Sequence, residues 1–415
     1  MRILALTEHF LPRIAGTAMT VHKTATALAA RGHDVTLIAP NPAFADIDAA
    51  QNFTVHRIGP DLSPHGAPTR EDRYAFCEAA DAQCKRMIAA GEVDIVHVMF
   101  GLFLMEKLDI EAYAAQGVPS VAMVHNLPPH ECAVAWDASP LHKRFADKAR
   151  LVAVARKNRA RLHRHDYASY LVPSEQVAGL LREALPQRSI EVVEHGVTDT
   201  IISLMNPPAS RRPVEGEPVR LLTVGGFVPP KRQHLVPEIV EQLNRQGIAV
   251  DWTLAGAPGR VPVYFEALES YIAARGLNDV IHLRTSLPDE DLAAAYDAAH
   301  IYVQPSTEEG FCLTALDAAA AGLPVIGSPA GAIPSIVKAS QGILVPSEPI
   351  ALAAAIADFV STDSWTDDTA SRVGQVRETW NWDRVAADCE RIYGNALAKA
   401  GVTPSPSVAA GPQSV

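Results

Sequence analysis

Two carboxylates eight residues apart, Glu309 and Asp317, flank a loop that contains Gly310. A helix is predicted after the loop, and its first turn leaves backbone N–H groups that, with the helix dipole, favour an anion such as phosphate. These groups belong to Phe311, Cys312, Leu313 and Thr314. Gly310 allows close backbone approach, and carboxylates beside a phosphate suit sugar and ribose hydroxyls. The stretch predicts a site for a phosphorylated, hydroxyl-rich ligand. The alternative is that Glu309 only neutralises the helix end and Asp317 is exposed.

The local pattern places this loop between two strands of a parallel sheet. Residues 301–303 form a β-rich run closed by Pro305, and residues 313–321 are rich in the helix formers Ala and Leu. Gly322 ends the helix, and residues 325–326 form the next short strand. A βαβ unit implies parallel pairing. Ligands of such sheets bind beyond the carboxyl ends of the strands, which is where the loop lies.

A lysine and a histidine occupy comparable positions elsewhere in the chain. Lys231 follows the strand predicted for residues 219–224, in a loop that contains Gly225 and Gly226, where a mobile point charge could bind phosphate. His125 ends the strand predicted for residues 118–126, at an edge that offers side chains to ligands. Both are candidate binding residues, and a purely structural role is the alternative for His125.

Composition narrows the class of protein. The 415 residues are 48% hydrophobic and 20% charged, enough for two domains with full cores. The net charge of −11 disfavours nonspecific binding to nucleic acid. The five cysteines are spread widely without a C-x-x-C pair, which argues against a disulfide framework or thiolate metal site. The N-terminal apolar run is too short for a signal peptide and no segment resembles a membrane span, so we expect a cytoplasmic protein, at most peripheral to a membrane.

Strand and helix patterns alternate along the chain, which predicts an α/β fold with two domains. We expect a first domain over residues 1–200 and a second over residues 201–378, which begins with a proline-rich segment near residues 206–218. The first loop contains Gly16 but lacks G-x-G-x-x-G, so a dinucleotide site is not indicated. A terminal helix is predicted over residues 379–400, followed by a disordered tail over residues 401–415.

A strongly basic stretch precedes the strand predicted for residues 167–172. Its one acid is Asp147. Its nine cations are Lys143, Arg144, Lys148, Arg150, Arg156, Lys157, Arg159, Arg161 and Arg164. Three interpretations are open: a solvated helix face, a site for an anionic acceptor, or a surface that touches anionic membrane lipids.

The stretch from Glu309 to Asp317, followed by Gly322-Leu-Pro-Val, resembles the Glu-x7-Glu motif of the family-4 retaining glycosyltransferases. This resemblance implies a GT-B fold, in which two Rossmann-like domains with parallel sheets face each other across a cleft and the terminal helix returns to the first domain. It also implies transfer of a sugar from a UDP-sugar or GDP-sugar to a glycan, lipid or small-molecule acceptor, with retention of configuration. Neither a metal nor a cofactor other than the donor substrate is expected.

The resemblance assigns roles residue by residue. Catalytic roles fall on Glu309, Lys231 and His125. Donor binding falls on Gly16, Gly226, Arg232, Thr285, Gly310, Phe311, Cys312, Leu313, Thr314 and Asp317. The acceptor side is assigned to His9, Arg13 and Trp136.

Several residues depart from the family's pattern, among them Ala15 and Thr285, each of which stands where a glycine is usual. Asp317 stands where a second glutamate is usual, Cys312 where a glycine is usual, and Gly226 where an arginine usually binds the diphosphate. The lost cation is either missing or supplied by another residue, for which the candidates are Arg13, Arg232 and Arg260. The departures leave two alternatives open: a weak or inactive glycosyltransferase-like partner protein, and a GT-B sugar-nucleotide epimerase.

Overall fold

The computed structural model describes residues 1–12, 16–41, 44–62, 69–126, 153, 156–207, 211–258, 263–361 and 369–403. These residues form two compact units. Unit 1 comprises the described residues of Met1–Pro128, Val152–His195 and Trp382–Val415, and unit 2 comprises those of Gly196–Asn381. The change of unit at His195–Gly196 lies five residues before the boundary predicted at residue 200. The predicted disordered tail lies, from residue 404 onward, outside the described residues.

Unit 1 is built on a sheet of seven parallel strands in the order β3-β2-β1-β4-β5-β6-β7. Its strands are β1 (Arg2–Thr7), β2 (Asp34–Asn41), β3 (Thr54–Asp61), β4 (Ile95–Phe100), β5 (Ser120–Met123), β6 (Ser169–Val172) and β7 (Ile190–Val192). Its first helices are α1 (Gly16–Ala30), α2 (Ala45–Ala49), α3 (Arg70–Ala89), α4 (Leu102–Lys107), α5 (Ile110–Ala115), α6 (described over 156–162) and α7 (Glu175–Ala184). The central strands are buried, as their apolar sequences require in a parallel sheet.

Unit 2 is built on six parallel strands in the order β10-β9-β8-β11-β12-β13. These are β8 (Val219–Val224), β9 (Val250–Gly256), β10 (Ile281–Thr285), β11 (Ile301–Gln304), β12 (Val325–Gly327) and β13 (Ile343–Leu344). The helices are α8 (Asp199–Leu204), α9 (Val236–Arg245), α10 (Val263–Ala274), α11 (Asp289–Ala298), α12 (Leu313–Ala320), α13 (Ile333–Ala339), α14 (Pro349–Ser361) and α15 (Thr369–Thr379), and two 3₁₀ turns cover Pro229–Lys231 and Gln233–Leu235. The two sheets and their helices form two Rossmann-like domains, which confirms the predicted fold class.

The last helix, α16 (Trp382–Lys399), belongs to unit 1 and packs against α1. Trp382 and Tyr393 lie in the hydrophobic core that α16 shares with the sheet. The Tyr393 hydroxyl lies 2.6 Å from Nδ1 of the buried His97 in β4, which anchors the helix to a central strand. The chain therefore returns to its first unit after completing the second.

A buried arginine anchors the first segment of unit 2 to the ends of two helices. Arg211 is only 3% exposed, and its guanidinium donates hydrogen bonds to the carbonyls of Tyr296, Asp297, Ala299 and Ala321. These carbonyls lie at the ends of α11 and α12, where helices leave acceptors without intrahelical donors. The sequence predicted only a proline-rich connection here, so this anchor was missed.

The sequence-derived boundaries agree with the structure within a few residues for most elements. The short helices α4, α5 and α8 were missed because six residues contain too few turns for a clear periodicity. Within the described residues, no helix combines the length and apolar character needed to cross a membrane.

Candidate functional site

The site predicted around Glu309 lies at the carboxyl ends of the two central strands of unit 2, β8 and β11. From β8 the chain continues to β9 on one side of the sheet, whereas β11 leads to β12 on the other side. Such a reversal in strand order opens a crevice in α/β sheets where ligands bind. Gly225 and Gly226 follow β8, and the loop that carries Glu309 follows β11.

Lys231 and Glu309 form an ion pair in this crevice although 78 residues separate them. Lys231 Nζ lies 2.6 and 2.7 Å from the two carboxylate oxygens of Glu309, and the Glu309 side chain is 6% exposed. Burial alone would lower the pKa of the Lys231 ammonium, but the Glu309 carboxylate outweighs burial and raises that pKa. Lys231 is therefore a cation at neutral pH.

The Glu309 carboxylate is held by further residues that were not predicted from the sequence. Ser306 Oγ donates to Glu309 Oε1 at 2.7 Å, and Gln304 Nε2 lies 3.3 Å from the same oxygen. Gly331 has φ 57°, and a Cβ there would lie 2.7 Å from the Glu309 Cβ, so only glycine fits without a shift. The one available signal was the pair of polar residues, Gln304 and Ser306, at the end of an apolar strand.

Cys312 is the N-cap of α12, with φ 86° and ψ 67°, in the left-handed region that glycine tolerates best. Burial raises the pKa of its thiol to about 12, so the thiol is protonated and is not a nucleophile at neutral pH. Its side chain makes no capping hydrogen bond to the helix. The glycine that the family resemblance leads us to expect at this position would therefore have a backbone reason, whereas Cys312 holds the left-handed conformation at a cost.

We expect Cys312→Gly to be more stable than Cys312→Ala by about 1 kcal/mol, because both remove the sulfur but only glycine relieves the left-handed backbone. Thermal unfolding of the two variants side by side measures the difference. The alanine variant is the matched control for loss of the buried thiol. An alanine variant as stable as the glycine variant would show that the conformation carries no strain.

Asp317 lies on the buried face of α12 and is 4% exposed, so the alternative of an exposed helix residue is wrong. Its Oδ1 accepts a hydrogen bond at 2.8 Å from the backbone N–H of Thr198, which precedes α8. Burial raises the pKa of Asp317 from 3.8 to about 7, although the Thr198 N–H opposes this rise. The carboxyl group therefore titrates near neutrality and joins α12 to α8.

The raised pKa of Asp317 predicts a pH-dependent stability. Between about pH 4 and pH 7 the folded protein binds the Asp317 proton more strongly than the unfolded chain does, so the free energy of unfolding falls as pH rises through this window. Asp317→Asn removes the charge and keeps an oxygen for Thr198. We expect the variant to unfold at a higher temperature than the parent at pH 8.5, with a smaller difference at pH 5, and an effect of at most roughly 4 kcal/mol.

Thermal unfolding at the two pH values tests this expectation. Asp279→Asn, which removes an exposed carboxylate elsewhere in unit 2, is the control. Parallel pH profiles for the parent and Asp317→Asn would contradict the assignment.

The loop after β8 has space for a Cβ at Gly226, where the family's pattern leads us to expect a cation. A Cβ at Gly226 would lie 3.8 Å from the Ala257 carbonyl oxygen, an ordinary contact. The stem of Lys231 passes Gly225, where a Cβ would lie 3.6 Å from its Cε. Arg232 separates the two 3₁₀ turns with φ 54°. Burial, followed by the charge of Arg232, lowers the pKa of His234 to about 4.

His125 lies in unit 1, two residues beyond the end of β5. Its Nε2–H donates to the Met99 carbonyl at 2.8 Å, which leaves Nδ1 as an acceptor. Burial lowers the pKa of His125 to about 4, although this hydrogen bond raises it, so the ring is neutral at pH 7. The rings of His9, Phe100 and His125 form a row, with centroids 4.7 and 5.6 Å apart.

A buried acid, Glu8, organises the same edge of unit 1. Its Oε1 accepts from the N–H groups of Phe103 and Leu104 at the start of α4, and its Oε2 lies 3.0 Å from Arg73. Gly101 has φ 134°, and a Cβ there would collide with the Glu8 carboxylate. Burial raises the pKa of Glu8, while Arg73 and the two amides lower it in part. This acid was not predicted from the sequence.

The basic stretch divides into two kinds of residue. Arg161 Nε donates to Glu106 at 2.7 Å, and its guanidinium lies 4.0 Å from the centroid of Phe103, so it holds α6 to α4. Four cations of the stretch are exposed: Arg156, Lys157, Arg159 and Arg164. The others, Lys143, Arg144, Lys148 and Arg150, lie outside the described residues. The exposed part is compatible with all three interpretations of this stretch.

The structure places the remaining candidates as follows. Gly16 begins α1, and Thr285 ends β10 at the outer edge of the unit 2 sheet. Gly310 and Phe311 precede α12, with the Phe311 side chain in the core, and Leu313 and Thr314 begin the helix. Arg13, Trp136 and Arg260 lie outside the described residues. Among the residues that are described, no group of three His, Cys, Asp or Glu side chains could hold a metal ion.

Two family models match the chain. The model described as Glycosyltransferase Family 4 matches residues 14–200, and the model described as Glycosyl transferases group 1 matches residues 209–375. The two matches meet near the change from unit 1 to unit 2.

Similar proteins include two named bacterial transferases. A D-inositol 3-phosphate glycosyltransferase of Streptomyces scabiei is 33% identical over 134 residues, which are 32% of this chain and 30% of that protein. An MMP alpha-(1->4)-mannosyltransferase of Mycolicibacterium hassiacum is 31% identical over 139 residues, which are 32% of this chain and 33% of that protein. The chain thus spans about a third of the length of these two relatives.

Solved structures share the fold over nearly the whole chain. Sucrose-phosphate synthase from Thermosynechococcus elongatus matches with a TM-score of 0.70 at 19% identity. The match covers 96% of this chain and 99% of the synthase chain. HepE of Anabaena, solved with UDP and glucose, has a TM-score of 0.65 at 17% identity and covers 95% of this chain and 99% of its own. At this level of identity the likeness concerns the fold alone.

Proposed function

Because this chain belongs to the family-4 glycosyltransferases of the GT-B fold, we propose that it transfers a sugar from a nucleoside-diphosphate sugar to an acceptor with retention of configuration. The donor is proposed to be a UDP-sugar or a GDP-sugar and to bind unit 2. HepE, which shares the fold, was solved with UDP and glucose, which supports a nucleotide sugar as the donor class.

The observation that carries the proposal is the Lys231–Glu309 pair, which joins the loop after β8 to the loop between β11 and α12. In a nucleotide sugar the sugar is bonded directly to the diphosphate, so the site needs a cation for the phosphates beside a hydrogen-bond acceptor for the sugar hydroxyls. The Lys231–Glu309 pair supplies both groups side by side. In the proposed complex Lys231 meets the diphosphate together with backbone N–H groups of the loop and first turn, and Glu309 accepts hydrogen bonds from sugar hydroxyls. Asp317 is assigned to the ribose through the carboxylate oxygen that does not bind Thr198.

Catalysis in this proposal is mainly electrostatic. The bond from the anomeric carbon to the diphosphate breaks with charge developing on the leaving group, and a preorganised cation lowers the energy of that charge. In the proposed complex Lys231 turns from the Glu309 carboxylate to the diphosphate when the donor binds, so the cation is in place before the bond breaks. We propose that the reaction is independent of a metal ion.

The acceptor is assigned to unit 1. His125 presents a neutral ring whose Nδ1 can accept a hydrogen bond from a hydroxyl, beside His9 and Phe100. Arg13 and Trp136 complete the proposed acceptor set. The acceptor class stays broad: a glycan, a lipid or a small molecule. We propose that the protein is cytoplasmic. Its exposed cations on α6 are proposed to contact either an anionic acceptor or the inner face of a membrane.

Incubation with a panel of UDP-, GDP- and ADP-sugars, with and without EDTA, tests the proposal. Slow hydrolysis of one donor in the absence of acceptor, with the released sugar first appearing in the donor's anomeric configuration and no loss in EDTA, is the expected result. Binding without turnover would indicate a partner protein. An altered sugar on an intact nucleotide would indicate an epimerase.

A further inference from the structure

We propose that Ser306 and Gln304 are positioning residues that orient the Glu309 carboxylate so that Oε2, rather than Oε1, meets the donor sugar. This inference rests on the proposed function, since it concerns the same donor site. The direction of the hydrogen bonds from Ser306 and Gln304 decides which Glu309 oxygen is available to the sugar.

The residues form a continuous buried chain of hydrogen bonds. Ser306 Oγ lies 2.7 Å from Glu309 Oε1, and Gln304 Nε2 lies 2.7 Å from Ser306 Oγ. Gln304 Oε1 lies 2.7 Å from the Tyr302 hydroxyl, which in turn lies 2.9 Å from Oγ1 of Thr314 in the first turn of α12. Tyr302, Gln304 and Ser306 are all fully buried.

The chemistry of the end group sets the direction of the whole chain. An ionised carboxylate only accepts, so the Ser306 hydroxyl must donate to Glu309, and its oxygen then accepts from the Gln304 amide. With its NH₂ group facing Ser306, Gln304 presents its carbonyl to Tyr302, whose hydroxyl must donate. Every donor from Tyr302 onward therefore points toward Glu309.

The two oxygens of Glu309 differ in consequence. Oε1 receives three donors, from Lys231, Ser306 and Gln304, whereas Oε2 receives Lys231 alone. A carboxylate oxygen has about two lone-pair positions, so Oε1 is saturated and Oε2 retains capacity. When a diphosphate draws Lys231 away, Oε1 still keeps two donors and Oε2 is left for sugar hydroxyls.

A purely structural role would not need this arrangement. Buried polar groups are tolerated only when their hydrogen bonds are satisfied, and apolar residues of similar shape usually stabilise a core as well or better. Here three successive polar groups terminate on the one carboxylate proposed to bind sugar. Their polarity is therefore explained by the orientation of Glu309.

The experiment compares the Kd of a nucleotide sugar with the Kd of its nucleoside diphosphate, by calorimetry, for the parent and for Ser306→Ala. We expect diphosphate affinity to change less than about threefold, while the ratio of sugar-nucleotide to diphosphate affinity and the rate of donor hydrolysis each fall about tenfold or more. Ser306→Thr keeps the hydroxyl and should recover most of the loss. Thr307→Ala, which removes the exposed hydroxyl of the next residue, is the matched control.

A second variant guards against a folding defect in the first. Tyr302→Phe removes only the hydroxyl at the far end of the chain and should lower the same ratio by about two- to fivefold with diphosphate binding preserved. Equal losses for the diphosphate and the nucleotide sugar, or an unchanged ratio in both variants, would overturn the inference and leave the proposed function standing. A parent protein that binds none of the nucleotide sugars overturns the proposed function and this inference with it.

Discussion

Glu309→Gln is expected to lower sugar transfer by about a hundredfold or more and, at the same time, to strengthen binding of the nucleoside diphosphate. The first effect follows because a charged hydrogen bond to a sugar hydroxyl contributes about 1.5–3 kcal/mol, and the neutral amide replaces it poorly. The second follows from the ion pair, since a ligand must draw Lys231 away from a carboxylate only 2.6 Å distant. Without that competing charge, we expect the diphosphate Kd to fall by about tenfold.

Calorimetric titration with UDP and GDP, together with initial rates of donor hydrolysis, measures both effects on one sample. Glu308→Gln removes the same charge one residue earlier in the loop and is the matched control. Weaker diphosphate binding in Glu309→Gln would contradict the assignment, because it would mean that the carboxylate holds Lys231 in its productive position rather than competing for it.

Lys231→Ala is expected to be the most damaging single change, with transfer reduced by about a thousandfold. Gly226 stands at the place of the second cation in the family's pattern. Within the described residues, Lys231 is the one cation of this loop that contacts the Glu309 carboxylate. Loss of a preorganised group that stabilises developing charge costs roughly 3–4 kcal/mol of transition-state energy. Initial rates with saturating donor measure the effect, and Arg232→Ala tests the neighbouring cation in the same loop.

This variant also leaves the buried Glu309 without its counter-ion, so lost activity must be separated from lost stability. We expect a destabilisation of roughly 1–3 kcal/mol for Lys231→Ala. The double variant Lys231→Ala/Glu309→Gln should recover most of that stability in a thermal unfolding experiment and none of the activity. A double variant that regains transfer would show that the single change acted through misfolding.

Gly226→Arg decides whether the second cation is missing or supplied by another residue. A Cβ at Gly226 makes only an ordinary contact with the Ala257 carbonyl, so the backbone there accepts a residue other than glycine. In a site that simply lacks the cation, the new arginine should strengthen diphosphate binding by roughly 1–3 kcal/mol. Unchanged binding, together with a Lys231→Ala variant that retains most activity, would favour a substitute among Arg13, Arg232 and Arg260.

The sequence alone determined the type and order of most elements. Apolar β-rich runs such as residues 219–224 alternate with helical patterns, and this alternation suffices for a parallel α/β fold because each strand is buried on both faces. The acid, glycine and helix around Glu309 are contiguous in the chain, so local pattern and family resemblance were enough to identify them. Lys231 was found in the same way, from its place in a loop after a strand.

Only the tertiary structure decided how these residues act on one another. Lys231 meets Glu309 because β8 and β11 are neighbours in the sheet, a pairing that no local pattern contains. Asp317 is buried because α8 covers it, with a contact partner 119 residues away in sequence. The left-handed backbone of Cys312 likewise depends on the loop that delivers it to α12. Charge pairing, burial and backbone strain are set by distances in space, and sequence separation does not determine those distances.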